Sequence, residues 1–208
     1  MKSYEKLLQN NKEWVDKMNS DDPRFFSRLS SVQTPEFFWI GCSDSRVPAN
    51  QITGTDPGEI FVHRNIANTV VHTDMNLLSV LDYAVNILKV NHVIVCGHYR
   101  CGGLLAAMQE ERLGLVNNWV NHIRDVYKTY KSEIEQSHDH EARADSFAEY
   151  HVIENVINLT QTSIIRDSWI KRGGPMIHGW IYDIHNGILK DLKISTDNAS
   201  EPLILKRS

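Results

Sequence analysis

Two short stretches of the chain carry most of the side chains that could bind a metal ion. Residues 41–46 read GCSDSR, and residues 96–103 read CGHYRCGG. Together they offer thiols, an imidazole and a carboxylate, which is a donor set that suits a zinc ion. His98 and Cys101 are separated by about one helical turn, so both side chains can reach one ion.

The fourth zinc position is where the chemistry is decided, and Asp44 and Arg46 control it. The two residues are two apart, so their side chains lie on one side of an extended chain and can form a bidentate ion pair. If Asp44 binds the zinc, the site is closed. If Arg46 holds Asp44 back, a water takes that position and loses its proton far more easily than bulk water does. Cys96 is a rival ligand by its spacing, although its apolar surroundings favour a core residue.

Each of the two stretches follows an apolar run that predicts a buried strand. Strands are predicted over residues 36–41, 59–64, 92–97, 176–184 and 188–194, with the last two joined at Asn186-Gly187. Helices are predicted over residues 3–19, 76–89, 101–111, 115–134, 142–159 and 163–171, and a short helical turn begins at Phe25. Residues 137–141 are polar and predict a loop.

This order of elements predicts an α/β fold of three layers. A strand, a helix and a strand at the observed spacing indicate a right-handed parallel crossover. We therefore expect a mostly parallel central sheet, an antiparallel edge strand and an N-terminal helical arm. Ligands of such sheets bind outside the carboxyl ends of the strands, so the two metal-binding stretches meet if their strands are neighbours.

The composition is that of one globular domain. The chain has 208 residues, 41% of them hydrophobic, and a net charge of −4. It lacks a basic stripe and any apolar run of about 20 residues, so we expect neither a nucleic-acid nor a membrane partner. Three cysteines and a charged start without an apolar core predict a reducing, cytoplasmic setting. We expect a single domain over residues 1–208, with residues 1–32 as a helical arm that packs on its own domain or on a second subunit.

Three ordered blocks resemble the signature blocks of the β-class carbonic anhydrases: CSDSR at 42–46, VHRNIAN at 62–68 and GHYRCGG at 97–103. The similarity extends from about residue 33 to about residue 193. It implies a zinc ion held by Cys42, His98 and Cys101, and it implies that Cys96 is structural.

The resemblance also implies roles for Asp44 and Arg46, as the exchangeable fourth ligand and its partner. In that family, zinc-bound hydroxide hydrates carbon dioxide reversibly to bicarbonate and a proton. We therefore expect Asp44 and Arg46 to be the catalytic residues, with Asp44 moving on and off the zinc.

The family pattern further implies a substrate pocket and an assembly. The pocket positions are Gln33, Phe61, Ile66, Tyr83 and Gly102. The N-terminal arm resembles the family's dimer-wrapping helices, so we expect a homodimer or a dimer of dimers.

A finer resemblance links this chain to the bicarbonate-regulated, or type II, subset of the family. The matching positions are Trp39, Gly41, Arg64 and Tyr182. They imply a non-catalytic bicarbonate pocket that favours the closed state, which low pH also favours. The plain alternatives are core packing for Trp39 and Tyr182 and a structural ion pair for Arg64.

Two other functions remain open from the sequence. The same zinc centre could hydrolyse carbon disulfide or carbonyl sulfide, or the chain could be a zinc-binding module without catalysis. Several histidines are candidate proton carriers on chemical grounds, namely His63, His72, His178 and His185. His138 and His140 indicate a solvated loop rather than a second metal site.

Overall fold

The computed structural model of the chain describes residues 2–109 and 113–197. It divides into two compact units, one ending at Thr34 and the other beginning at Pro35. The first unit contains helices α1 (Ser3–Asp21) and α2 (Phe25–Leu29), which confirms the predicted N-terminal helices. Three aromatic rings pack edge to face within it, with centroids 5.0–6.1 Å apart; they belong to Trp14, Phe25 and Phe26.

A five-stranded sheet is the frame of the second unit. Its strands are β1 (Phe37–Cys42), β2 (Ile60–Asn65), β3 (His92–His98), β4 (Met176–Asp183) and β5 (Ile188–Asp191). They lie in the order β2-β1-β3-β4-β5, and only the β4–β5 pair is antiparallel. The predicted sheet with its antiparallel edge is therefore confirmed. The last strand ends at Asp191 and not, as predicted, at residue 194. The Asp191 side chain accepts a hydrogen bond from the Lys193 amide, and Lys193 turns the chain with a φ of 59°.

Seven helices of the second unit fall within the described residues. They are α3 (Ala49–Thr53), α4 (Met75–Asp82), α5 (Gly102–Met108), α6 (Val116–Thr129), α7 (Lys131–Ile134), α8 (His140–Thr160) and α9 (Ser163–Arg172). A π-helical turn (Tyr83–Ile87) continues α4, and a 3₁₀ turn (Ile66–Asn68) follows β2. In the part of the chain that the structure describes, no helix is both long and apolar enough to cross a bilayer.

The structure corrects the sequence prediction at several helix boundaries. The helix predicted over 115–134 is two helices, because Tyr130 leaves the helical conformation (φ −107°, ψ 19°). The loop predicted over 137–141 ends early, since the Asp139 side chain accepts the Ala142 amide at 2.7 Å and starts α8. The short helix α3 was not predicted. Residues 110 and 111 of the helix predicted over 101–111 lie outside the described residues.

The two faces of the sheet are covered to different extents. Val93 and Val95 join the main core, together with the buried residues of α4, α6 and α8. On the opposite face, Trp39, Ile94 and Cys96 form a smaller buried cluster with Ala49 of α3. Because alternate residues of a strand point to opposite faces, β1 is apolar at nearly every position.

Candidate metal centre

The carboxyl ends of β1 and β3 bring three potential metal ligands together. Cys42 is the last residue of β1, His98 is the last residue of β3, and Cys101 directly precedes α5. The two Sγ atoms are 3.8 Å apart, and one ligand atom from each residue lies within 4.8 Å of the others. All three side chains are buried. The meeting follows from the topology, since β1 and β3 are adjacent parallel strands.

The orientation of the His98 ring leaves one nitrogen free for a metal. Its Nδ1 donates a hydrogen bond to the Tyr99 carbonyl oxygen at 2.9 Å, which leaves the lone pair on Nε2. Nε2 is buried and has no hydrogen-bond partner within the described residues. A buried acceptor without a partner is costly, and metal-bound histidines usually donate their other N–H to a neighbouring acceptor in this way.

The thiol of Cys42 is the more acidic of the two. The hydrogen bond from Cys101 lowers the pKa of the Cys42 thiol to about 4, although burial acts in the opposite direction. The same bond and burial raise the pKa of Cys101. The Sγ of Cys42 also accepts the amides of Asp44 and Ala67, each at 3.4 Å. A divalent cation would allow both sulfurs to ionise, so this buried set of two thiols and one imidazole fits a zinc ion.

Asp44 lies next to these ligands and is held by Arg46. Oδ1 of Asp44 accepts the Arg46 amide at 3.0 Å and Nε at 2.9 Å, and Oδ2 accepts Nη2 at 2.7 Å. These bonds hold the pKa of the Asp44 carboxyl well below its usual range. Oδ2 also lies 3.8 Å from His98 Nε2. The carboxylate is thus beside the ligand atoms and bound to a guanidinium at the same time.

Cys96 stands apart from this cluster. Among the described residues, one group of three or more potential ligands comes close enough to hold an ion, and Cys96 is not in it. Its side chain is buried in the smaller core beside Trp39, and burial raises the pKa of its thiol. Its contacts are those of a core residue.

The predicted pocket residues lie in different elements. Phe61 of β2 packs on Tyr83 with ring centroids 5.8 Å apart. Gly102 directly follows Cys101, and a Cβ atom added there would meet nothing within 4 Å. Ile66 is partly exposed and begins the 3₁₀ turn after β2. Gln33 belongs to the N-terminal unit.

The four residues matched to bicarbonate regulation lie on strands β1, β2 and β4 of the same sheet. Trp39 is buried, and its Nε1 would lie 2.3 Å from a Cβ atom at Gly41, so only glycine leaves room for this ring. Tyr182 of β4 packs against the same small core. Arg64 is paired with Gly41 across the β1–β2 ladder.

The Arg64 side chain binds two backbone carbonyl oxygens. Its Nε donates to the Cys42 carbonyl oxygen at 2.8 Å, and its Nη2 donates to the Asp44 carbonyl oxygen at 2.5 Å. The guanidinium therefore holds the segment that carries both the Cys42 thiol and the Asp44 carboxylate.

Several residues that support the cluster were not predicted. Ala67 has a left-handed backbone (φ 61°), and its amide points at Cys42 Sγ. His151 of α8 is fully buried and donates from Nε2 to the Ala67 carbonyl oxygen at 2.9 Å. Gly103 lies so close to Ile66 that a Cβ atom would be 2.8 Å from its Cγ2. Ala67 and Gly103 lie in the blocks that the sequence singled out, whereas no sequence signal pointed to His151.

Comparison with known proteins assigns the chain to a family. Residues 37–189 match the family model described as carbonic anhydrase. A carbonic anhydrase of Emericella nidulans is 45% identical over 192 residues, covering 92% of this chain and 84% of the relative. A carbonic anhydrase of Candida albicans is 35% identical over 194 residues, covering 92% of this chain and 68% of the relative.

Solved structures show the same fold. A crystal structure of tetrameric β-carbonic anhydrases from Sordaria macrospora superposes with a TM-score of 0.90 and 37% identity, covering 93% of this chain and 98% of that one. The Coccomyxa β-carbonic anhydrase in complex with acetazolamide has a TM-score of 0.91 and 30% identity, with coverages of 98% and 95%.

Proposed function

Because this chain belongs to the β-carbonic anhydrase family and is a carbonic anhydrase, we propose that Cys42, His98 and Cys101 hold a zinc ion at which carbon dioxide is reversibly hydrated. The observation that carries this proposal is the buried, unpartnered Nε2 of His98 beside two thiols 3.8 Å apart. Zinc at this position would supply Lewis acidity, lowering the pKa of a water at its fourth position.

In this proposal Asp44 is a hydrogen-bond acceptor for the reacting water. Three of its carboxylate lone pairs accept from Arg46, which leaves one on Oδ2. That oxygen lies 3.8 Å from His98 Nε2, so the remaining lone pair is close to the metal-binding atoms. Held in this way, Asp44 stays ionised and accepts a hydrogen bond from the water, which orients the water oxygen towards the substrate carbon.

The same carboxylate can close the site. If the bonds to Arg46 break, Oδ2 is near enough to the ligand atoms to take the fourth metal position itself. The closed and open arrangements then differ by one ion pair and one metal bond. Such a two-state element can be biased by a ligand that binds one state better.

We propose that bicarbonate is that ligand, at the pocket formed by Trp39, Gly41, Arg64 and Tyr182. The support is the Arg64 guanidinium, which binds the carbonyl oxygens of Cys42 and Asp44. An anion that draws Arg64 away releases this segment and with it Asp44. Charge-assisted bonds to a bicarbonate oxygen would replace the two carbonyl bonds, so the exchange is feasible energetically.

The remaining proposals concern assembly and location. Helix α1 buries none of its residues and exposes Leu7 and Leu8 by 69% and 65%, which favours packing on a partner subunit. A homodimer or a dimer of dimers accounts for this apolar face. A cytoplasmic location suits Cys42 and Cys101, which are free thiols only 3.8 Å apart.

Stopped-flow hydration of carbon dioxide by the zinc-loaded protein tests the central proposal. We expect a rate well above that of buffer at alkaline pH, and one zinc ion per chain by metal analysis. Asp44→Ala should keep its zinc but show a changed pH–rate profile, whereas Arg166→Lys, an exposed substitution on α9, should change neither. Loss of the rate in the fully zinc-loaded native protein at alkaline pH would refute the proposal.

A further inference from the structure

Two imidazoles from neighbouring strands face each other at the opposite end of β3 from His98. His92 is the first residue of β3, and His178 lies on β4. Nδ1 of His92 and Nε2 of His178 are 3.0 Å apart. Because a strand rises about 3.3 Å per residue, His92 lies roughly 20 Å from His98 along β3. The pair is therefore separate from the cysteine–histidine cluster.

A serine hydroxyl beside His178 can hold one of its two ring nitrogens. Its Nδ1 lies 2.8 Å from Ser195 Oγ, and a donor at Nδ1 leaves the Nε2 lone pair directed at His92. This is the usual arrangement of a metal-binding histidine, whose second N–H is held by a nearby acceptor. Trp180 packs on the His178 ring with centroids 5.9 Å apart. The His178 ring is thus oriented before any ligand arrives.

His92 is held from the other side by an aromatic ring. Phe37 stacks on it with centroids 5.4 Å apart and an interplanar angle of 22°. The His92 and His178 rings are half-buried, with centroids 5.2 Å apart and planes inclined by 40°. Once the His92 proton is on Nε2, rotations about the side-chain torsions can direct the Nδ1 lone pair of His92 and the Nε2 lone pair of His178 at a common point.

We propose that His92 and His178 form a second metal site, which binds a divalent transition cation such as Zn²⁺ or Ni²⁺ through the two imidazoles. Two nitrogens bound at about 2.0–2.1 Å and a roughly right angle are about 3 Å apart, which matches the observed separation. Imidazole nitrogens suit these cations better than Mg²⁺ or Ca²⁺. Water completes the coordination.

The local charges favour a cation here. Burial, and next the neighbouring His92, lower the pKa of His178, so its ring is neutral and able to bind a metal at neutral pH. The Asp191 carboxylate lies near enough to act on His178 electrostatically, and it is partly balanced by its ion pair with Lys193 at 2.7 Å. Binding needs the His92 proton to move from Nδ1 to Nε2 through solvent. No net proton is released in this exchange, because the proton stays on the His92 ring.

A plain hydrogen bond that joins β3 to β4 is the competing explanation, and it predicts no metal affinity. Calorimetric titration of Ni²⁺ into the zinc-loaded protein separates the two. We expect about one equivalent of Ni²⁺ to bind with no zinc released, and with a heat that does not depend on the ionisation enthalpy of the buffer. Retained zinc shows that Ni²⁺ has not displaced the metal of the cysteine–histidine cluster.

Variants then locate the site. His92→Gln and His178→Gln should each weaken Ni²⁺ binding roughly tenfold or more, and Ser195→Ala should weaken it by about tenfold through loss of ring orientation. His185→Gln removes an exposed imidazole in the β4–β5 turn and should leave the affinity unchanged. His92→Gln should also keep the native rate of carbon dioxide hydration, which shows that it folds.

Two results would overturn the site. One is native protein that takes up no Ni²⁺ beyond its zinc. The other is a folded, active His92→Gln variant that binds Ni²⁺ as tightly as native protein does. Neither result bears on the zinc centre, whose metal content and activity are measured separately.

Discussion

His151 Nε2 lies 2.9 Å from the carbonyl oxygen of Ala67, and this bond joins helix α8 to the turn beside the proposed metal centre. The turn is strained, since Ala67 and Asn68 both have positive φ values of 61° and 47°. The carbonyl oxygen of Ala67 accepts from His151, whereas its amide points at Cys42 Sγ. Asn155, one turn further along α8, accepts a hydrogen bond from the Val70 amide at its Oδ1. A buried helix thus holds a backbone donor against the Cys42 sulfur.

Replacing His151 should weaken both the fold and the zinc site. His151→Ala removes the bond to Ala67 and leaves a cavity in a fully buried position, so we expect a loss of about 2–4 kcal/mol in the free energy of unfolding. Chemical denaturation of the zinc-free protein measures it. Zinc affinity, measured by competition with a chelator, should fall as well, because the amide of Ala67 is no longer held against Cys42.

The conservative variant distinguishes positioning from packing. His151→Gln keeps an N–H donor and should recover part of the zinc affinity, while His185→Ala, at an exposed position, should change neither quantity. If His151→Ala binds zinc as tightly as native protein does, His151 contributes to packing and does not position the Ala67 amide.

The stability of the protein should depend on pH through His151. Burial lowers the pKa of this imidazole from 6.5 to about 4, against the opposing bond to Ala67. The folded state therefore binds fewer protons than the unfolded state between these two values, and stability rises with pH across that window. The contribution is fully present above about pH 6.5 and is lost as the pH falls towards 4, to a total of about 3 kcal/mol.

Denaturation of zinc-free protein at several pH values measures this slope. The comparison with His151→Gln, which cannot titrate, isolates the histidine from the other acid-sensitive groups. The difference in unfolding free energy between native protein and variant should shrink as the pH falls. A difference that is constant between pH 4 and 7 would contradict the prediction.

Adjacent glycines at the start of α5 give a matched pair of substitutions. A Cβ atom at Gly103 would lie 2.8 Å from Ile66 Cγ2 and 3.3 Å from Ala67 Cβ, whereas one at Gly102 meets nothing within 4 Å. Gly103→Ala should therefore cost about 1–3 kcal/mol of stability by overpacking. Gly102→Ala should leave stability unchanged or raise it slightly, because alanine favours a helix. Thermal unfolding of both zinc-loaded variants tests this, and equal melting temperatures would contradict it.

The sequence predicted the parts of this protein that depend on neighbouring residues. The strands that carry Cys42 and His98 are apolar runs followed by polar residues. Because parallel strands end at one edge of the sheet, the sequence predicted that these two side chains lie close together. The antiparallel edge followed from Asn186-Gly187, where Gly187 adopts a φ of 78°.

What the sequence could not predict depends on contacts between distant elements. His151 is an ordinary member of an amphipathic helix until the fold brings it to Ala67. The role of Arg64 was expected to involve an ion pair or an anion, and its actual bonds go to the Cys42 and Asp44 carbonyl oxygens, which periodicity cannot reveal. The helix break at Tyr130 likewise coincides with a contact to another helix, because its ring stacks on Tyr150 with centroids 4.8 Å apart.

Two cysteine substitutions should differ in their effect on zinc content. Cys42→Ser changes a residue whose sulfur lies 3.8 Å from that of Cys101, so we expect it to lose most of its zinc. Cys96→Ala changes a buried core residue outside the cluster and should keep one zinc per chain, at a modest cost in stability. Metal analysis after gel filtration gives the number of zinc ions per chain. Loss of zinc from a folded Cys96→Ala variant would assign that thiol to the centre.

Bicarbonate should inhibit the native protein through Arg64, and the inhibition should be sensitive to the residues around it. Trp39→Phe and Tyr182→Phe each remove one hydrogen-bond donor from the proposed pocket and keep most of the ring volume. We expect each to raise the inhibition constant for bicarbonate about tenfold, since a bond to a charged group contributes roughly 1.5–3 kcal/mol. Initial hydration rates at increasing bicarbonate concentration measure it.

A matched tyrosine provides the control for that experiment. Tyr150→Phe removes a hydroxyl from a ring that stacks on Tyr130 in the α8 region, and it should leave the inhibition unchanged. Inhibition that is as strong in both pocket variants as in native protein would refute the pocket. Weaker inhibition in both would connect anion binding to Asp44, because the only bonds by which Arg64 reaches the metal-binding segment in the described structure are those to the Cys42 and Asp44 carbonyl oxygens.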